Sequence, residues 1–295
     1  MDVSIILVNY NTISFLVDTI SSVFLKTEDI EYEIIVVDNN SSDNSRVILA
    51  EKYGDKVIYL GLVENIGFGR ANNEGVKIAR GRNLFFLNPD TILLNNAVKI
   101  LSDYLDSNIH VGCCGGNLIN FEGEPTYSFT RVRFMSIFYE IDKIFLRIPS
   151  KLLYGKNYYY NYTNKPLRVN SIIGADLMIR KELFDKLHGF DPSFFMYHEE
   201  SELEYRVKKA GYEIISVPYA QIIHLEGKSF SNNFIKLKKI LASRKIYLQK
   251  TYNPISIMII NSVYFLNVAI RLLVFTILWK TDEMRKCSNI LKQVF

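Results

Sequence analysis

Residues 85–94 read FFLNPDTILL. An apolar run of this kind suits a buried strand, and Pro89 ends it, because proline lacks the N–H that a central ladder needs. Asp90 then stands at the carboxyl end of a sheet strand, the edge where open α/β sheets bind ligands. Asn, Pro and Asp are also ordinary turn residues, so the surroundings must decide. They alternate. VSIILV (3–8), YEIIVV (32–37), VIYLG (57–61) and NLFFLN (83–88) are short β-rich runs, and helical patterns separate them at 13–25, 42–53 and 69–80, the last closed by Gly81. Strands that alternate with helices predict an α/β chain with a mostly parallel, Rossmann-like sheet covered on both faces.

Past residue 120 the pattern loosens and becomes rich in Tyr and Phe, as in YYYNY at 158–162. Strand-like LMIR (177–180) follows, then a short helix at KELFDKLHGF and a stronger one over 199–212 that Gly211 closes. EIISVP and AQIIHL read as two more strands. The expected division is a domain over 1–230, with a nucleotide-binding half at 1–120 and an acceptor half at 121–230, and a tail over 231–295.

Composition narrows the function classes. The chain has 295 residues, 48% of them hydrophobic and 22% charged, which suits a packed globular protein. A net charge of +4 is too small to argue for a nucleic-acid partner. Cys113 and Cys114 are adjacent in an apolar run and Cys287 is distant, so neither a disulfide framework nor a zinc spacing is present. That usage suits a reducing cytosol. The start, MDVSIILVNYN, has neither the positive charge nor the cleavage site of a signal peptide and reads as a first strand. No GxGxxG follows that strand and no GxxxxGK[ST] occurs, which removes the dinucleotide and P-loop readings.

The polar residues gather where strands end. Strand one ends in Asn9-Tyr10-Asn11, strand two in Asp38-Asn39-Asn40-Ser41-Ser42-Asp43, and strand three is followed by Glu64-Asn65-Ile66-Gly67 and, further on, Asn72. With Asn88 and Asp90 they share one rim of a parallel sheet, because each follows its strand. Capping explains one such end but not four. The rim offers a carboxylate for a base or ribose, amides, and glycines that let backbone approach a ligand. A second cluster, Glu199-Glu200-Ser201-Glu202, opens a helix, where the helix dipole favours negative charge. Its candidate role is a general base, with Glu202 also able to pair with Arg206 at i+4. His224, after the last strand, is the third feature. Imidazole plus the Asp90 carboxylate suits Mn or Mg, and Lys228 and Ser229 are placed to touch phosphate oxygens.

The tail differs in character. Between Lys228 and Lys250 there are seven Lys/Arg and no Asp or Glu, and Ile255–Trp279 is 25 residues with a single charge, Arg271. That length suffices to span a bilayer, and a basic stretch beside an apolar helix suggests attachment to anionic lipid, in the interface rather than across it. The alternatives are helices packed on the domain or a homodimer interface.

Taken in order, SIILVNYN, IIVVDNNSSDNS, ENIGFGRANNEG, FFLNPDT, GADLMIRKELFDKLHGFDPSFFMYHEESELEYRVKKAGY and IIHLEGKS resemble the family 2 glycosyltransferases of GT-A fold, near their rhamnosyltransferase-like branch. The resemblance covers about residues 3–230. It implies inverting transfer of a sugar from a nucleoside-diphosphate donor to a hydroxyl acceptor, with a divalent metal, Mn2+ or Mg2+. NPD stands where such enzymes carry Asp-x-Asp, so Asn88 replaces the first acid and Asp90 is the implied metal and diphosphate contact, joined by His224. Asp38 is the implied contact to the base, and Val8, Asn9, Tyr10, Asn65, Gly67 and Asn72 would line the donor site. Many relatives have Glu-Asp-x-Asp where this chain has Glu199-Glu200-Ser201-Glu202, so Glu200 aligns with the usual base and Glu199 is the alternative.

The implied setting is the cytoplasmic face of a bacterial inner membrane, with dTDP-rhamnose as first donor and a lipid-linked glycan as acceptor in surface-polysaccharide synthesis. Two rival classes are a nucleotidyltransferase and a nucleotide-binding scaffold. The first would want a basic glycine-rich loop near the N-terminus, which VNYNTISF does not provide. The second would follow from the Glu-for-Asp changes.

Overall fold

The computed structural model of the chain describes residues 1–225 and 233–294. Lys228 and Ser229, read above as phosphate contacts, lie outside them. The strands are β1 (Val3–Asn9), β2 (Tyr32–Asp38), β3 (Ile58–Gly61), β4 (Asn83–Leu87), β5 (Thr91–Leu93), β6 (Val111–Ile119), β7 (Phe129–Thr130), β8 (Leu167–Arg168), β9 (Ser171–Ile172), β10 (Asp176–Arg180) and β11 (Glu213–His224). The helices are α1 (Ile13–Lys26), α2 (Ser45–Tyr53), α3 (Phe68–Ile78), α4 (Ala97–Ser107), α5 (Ile137–Ile144), α6 (Ile148–Tyr154), α7 (Lys181–Lys186), α8 (Glu199–Lys209), α9 (Asn233–Thr251), α10 (Pro254–Ile277) and α11 (Thr281–Val294).

One sheet dominates, in the order β3-β2-β1-β4-β10-β6-β11-β5, with β8 also paired to β11. β3, β2, β1 and β4 run parallel, as their continuous apolar sequences predict. β1 is buried along its whole length, so it shows no alternation. Apolar side chains cover both sheet faces: Leu16, Ile20 and Leu101 of α1 and α4 pack on one, and Ala71, Val76 and Leu203 of α3 and α8 on the other.

Three features were not legible in the sequence. β10 runs antiparallel between β4 and β6. EIISVP and AQIIHL form one strand instead of two; Pro218 removes a ladder donor, and the register shifts between Ser216 and Gln221. α3 ends at Ile78 instead of at Gly81, and a Cβ on Gly81 would lie 2.3 Å from Ser4 N, so that glycine serves close packing on β1 and does not cap the helix.

The register positions the site. Asn9 pairs with Asp38 and Asp38 with Gly61, so three strand ends finish level. Beyond Asp90 the resumed apolar run becomes the edge strand β5, with Thr91 opposite His224. Leu225 N donates to Asp90 O at 3.0 Å and completes that pairing. Asp90 and His224, 134 positions apart in the chain, are thereby joined at one corner of the sheet.

Inside the core, Glu204 of α8 is fully buried and accepts hydrogen bonds from Ser171 Oγ and, at 2.6 Å, from Ile172 N. Burial pushes its pKa from 4.5 up to about 8. The folded protein therefore holds a proton that the unfolded chain releases above pH 4.5, so this group's contribution to stability is complete below about 4.5 and is lost as pH rises toward 8. Melting temperatures of wild type and Glu204→Gln, taken from pH 5 to 8, should show a fall with pH that is steeper in wild type. Equal slopes would refute a proton on Glu204.

Candidate active site

The loops after β1, β2, β3 and β4 meet in one cleft. Val8, Tyr10 and Thr12 come from the first loop, Asn39 from the second, Asn65, Gly67 and Phe68 from the third, and Asn88 and Asp90 from the fourth. The opposite wall is Phe195-Met196-Tyr197, the segment that leads into α8. His224 closes the inner end, and Lys236 and Lys239 of α9 reach the rim.

Not every predicted residue faces this space. Asn9 is fully buried behind it: its Oδ1 accepts Thr12 N (3.2 Å) and Thr12 Oγ1 (2.8 Å), and its Nδ2 donates to Ser45 Oγ (2.6 Å) and Ser41 Oγ (3.0 Å). Asp38 is likewise buried, accepts Ser41 N at 2.7 Å, and lies near Tyr59, whose hydroxyl is held un-ionised up to about 12 by burial and by this carboxylate. Asn9 and Asp38 thus fix the loops that carry Tyr10 and Asn39. Asn72 is buried on α3, donates to Phe68 O at 3.1 Å and is not a lining residue.

Asn65 and Asn39 brace each other. Asn39 Nδ2 donates to Asn65 Oδ1 (3.0 Å), which also accepts Gly67 N (3.0 Å), while Asn39 Oδ1 accepts Ile66 N (2.9 Å). Gly67 has φ +91°, and a Cβ there would sit 2.2 Å from Phe195 O, the atom that accepts Phe68 N at 2.9 Å. Only glycine permits that approach of the two walls.

At the inner end His224 Nε2 lies 3.5 Å from Asp90 Oδ1, and both residues are buried. Among the described residues no group of three or more His, Cys, Asp or Glu forms a metal cage. One carboxylate and one imidazole still fit a hard divalent cation of the kind bound through one or two protein ligands plus substrate phosphates.

The acidic motif divides by environment. Glu202 is taken by Arg206, whose Nε and Nη2 reach its carboxylate at 2.7–2.9 Å while Nη2 also donates to Gly189 O at 2.8 Å. That pair ties α8 to the 187–189 turn, as the i+4 spacing foresaw. Glu199 is buried with its Oε2 unpartnered, and burial, reinforced by Glu200, pushes its pKa well up. Glu200 is half-buried against Gly174, where a Cβ would lie 3.1 Å from Glu200 Cγ. Burial raises its pKa too, opposed by the N–H groups that open α8. Tyr197 and His198, just before it, both have left-handed backbone (φ +74° and +69°), which bulky residues rarely adopt. Backbone strain of this kind clusters at functional sites. His198 is kept neutral, its pKa pushed down to about 3 by burial and by Lys143 and Arg244.

The family model for glycosyl transferase family 2 matches residues 4–205, which carry the first four strand ends and the acidic motif. The chain belongs to that family. This family 2 chain is 29% identical over 200 residues to an uncharacterized glycosyltransferase of Rickettsia prowazekii, a match over 67% of this chain and 56% of that protein. It thus spans little more than half of that relative's length. It is 26% identical over 249 residues to the rhamnosyltransferase WbbL of Escherichia coli (79% and 90% of the two chains). It is 25% identical over 256 residues to the low-salt glycan biosynthesis hexosyltransferase Agl10 of Haloferax volcanii (84% and 72%). Among solved structures, GalNAc-T7 with UDP, GalNAc and Mn2+ superposes at a TM-score of 0.61 and 19% identity over 84% of this chain and 48% of the other, which establishes the GT-A fold.

The sequence places Asn39 in the polar end of strand two without giving it a role, and it does not single out the 195–197 wall or the two lysines. Lys236 and Lys239 share a helix face by their spacing, but the basic run containing them pointed to lipid.

Proposed function

We propose that the protein transfers a sugar, with inversion, from a nucleoside diphosphate to a hydroxyl of a lipid-linked glycan. The observation that carries this reading is the convergence of Asp90 and His224, 3.5 Å apart, at the floor of a cleft whose walls are loops after parallel strands. The amide-rich rim of Asn39, Asn65 and Asn88 suits a nucleotide, and Lys236 and Lys239 suit its phosphates. The acceptor oxygen attacks the anomeric carbon as the bond to the diphosphate breaks, and Glu200 receives the acceptor's proton. Asp90 and His224 would hold a divalent cation, Mn2+ or Mg2+, which when bound supplies charge neutralisation at the leaving diphosphate. A fixed, water-poor site makes such electrostatic stabilisation effective. dTDP-rhamnose is the first donor to try, on the likeness to a rhamnosyltransferase, and bacterial surface polysaccharide the product class.

α10 is long and apolar enough to cross a bilayer. One face of its middle, however, is packed: Ile260, Asn267 and Val268 are buried, and Asn261 accepts from Arg244 at 2.7 Å, while Phe265 and Leu266 stay exposed. A helix held to the protein along one face and apolar along the other suits a bilayer surface, so we read α10 as lying in the interface at the cytoplasmic face of the inner membrane.

A thermal-shift panel of dTDP, UDP, GDP and CDP, each with and without Mn2+ or Mg2+, tests the donor site. A ligand specific for the folded state raises the melting temperature, by about 2.7 kcal/mol of stability at a hundredfold excess over Kd. One nucleotide with a metal-dependent shift is the expected result. A folded protein that responds to none is not a nucleotide-sugar enzyme.

A further inference from the structure

The α5–α6 hairpin lies far from the tail in sequence. In the fold its first helix packs directly on α10: Glu140 of α5 pairs with Arg244 of α9 at 3.6 Å, Arg244 sits over the Tyr264 ring of α10, and Lys143 approaches the same ring. The hairpin's other side is apolar and uncovered. Leu146 is 74% exposed, Leu152 81% and Leu153 63%, with Phe145 and Ile148 exposed between them. Soluble monomers rarely present such a patch without a partner for it.

Charge selects the partner. Within 137–156 the acids are Glu140 and Asp142, and both are buried. Asp142 is consumed in building the hairpin, since its Oδ1 accepts Ser150 N and its backbone carbonyl accepts Arg147 N, at 2.8 and 2.7 Å. The remaining charges, Lys143, Arg147, Lys151 and Lys156, are all basic and keep surface exposure. Leu146 and Arg147 at the tip both adopt positive φ (+51° and +62°), a backbone cost accepted at a turn that carries an exposed leucine. An apolar face set among basic residues is the pattern of interfacial lipid binding. The hairpin also adjoins α10, whose own outer face exposes Ile255, Met258 and Leu273, with Trp279 beyond its end 86% exposed.

We propose that the α5–α6 hairpin is a second membrane-contacting element, docking on an anionic bilayer surface beside α10. It rests on the interfacial reading of α10 given above for its neighbour, but it makes its own claim, that the tail is not the whole of the attachment. Two contacts from separate parts of the chain would fix the orientation of the cleft to the bilayer, where a single helix leaves it free to swivel.

The test is flotation of the full chain with phosphatidylcholine vesicles, with and without phosphatidylglycerol. The variants are Leu152→Glu/Leu153→Glu on the hairpin and, separately, Met258→Glu/Leu273→Glu on α10. Melting temperature and nucleotide-induced shift serve as controls for folding and for the donor site. The hairpin pair should weaken binding to the anionic vesicles at least about tenfold, given the transfer free energy of two leucine side chains, with the nucleotide shift intact. Binding within twofold of wild type would overturn the proposal even if the α10 pair abolishes it, because α10 alone would then suffice. A hairpin pair that instead converts a solution dimer to a monomer, without change in flotation, would assign the patch to a second copy and equally overturn it.

Discussion

Replacing Asp90 by Asn is expected to lower kcat by about three orders of magnitude while leaving the fold intact. Asn keeps the shape and the backbone carbonyl that accepts Leu225 N, so the β5–β11 corner should survive. What it loses is the negative charge 3.5 Å from His224 Nε2. In the proposed site that charge anchors the cation at the diphosphate, and no third acid or His groups with the pair among the described residues to substitute for it. The diagnostic is therefore double. Turnover should collapse, and the metal-dependent part of the nucleotide-induced thermal shift should vanish while any metal-independent part remains. An Asp90→Asn enzyme with full turnover would remove Asp90 from the mechanism.

The second large effect separates the glutamates. Glu200→Gln should reduce kcat by about 10²–10⁴-fold, the usual contribution of a general base, with donor binding unchanged. Glu199→Gln should be mild, because burial already favours the neutral carboxyl at Glu199 and a glutamine mimics it. The pH profile gives an independent check. Glu200 must be ionised to accept a proton, and burial raises its pKa above the ordinary 4.5. The acid limb of kcat/KM in wild type should therefore lie above pH 4.5, with activity lost as pH falls through it. A variant pattern with the two effects exchanged would make Glu199 the base.

Much of this site is written locally. Asn65 and Gly67 announce a loop that approaches a ligand, and the NPD break after an apolar run announces a strand end at a functional rim. The Glu202–Arg206 pair is a consequence of helical spacing and was foreseen as such. Asn9 and Asp38 carried the right strand-end signature, yet the folded chain uses them one layer back, where they hold loops by hydrogen bonds to Ser41, Ser45 and Thr12. Sequence position marks the rim of a parallel sheet but does not tell which side chain turns into the cleft and which turns beneath it.

The sequence by itself determined the α/β alternation, the polar rim and the family, because these depend on short-range periodicity and on residue types at fixed spacing. The tertiary structure alone decided three things. It reversed β10 between β4 and β6, which no local pattern encodes, since a central strand reads the same in either direction. It joined Asp90 to His224 through the pairing of Thr91 with His224, a register between segments far apart in the chain. It also gave the basic tail two surfaces, turning Lys236 and Lys239 toward the cleft while the middle of α10 packs on α5. Charge and hydropathy fix what a helix can adhere to. Packing of Met135 and Phe194 against Tyr247, Leu248 and Ile260 fixes which face is left to do so.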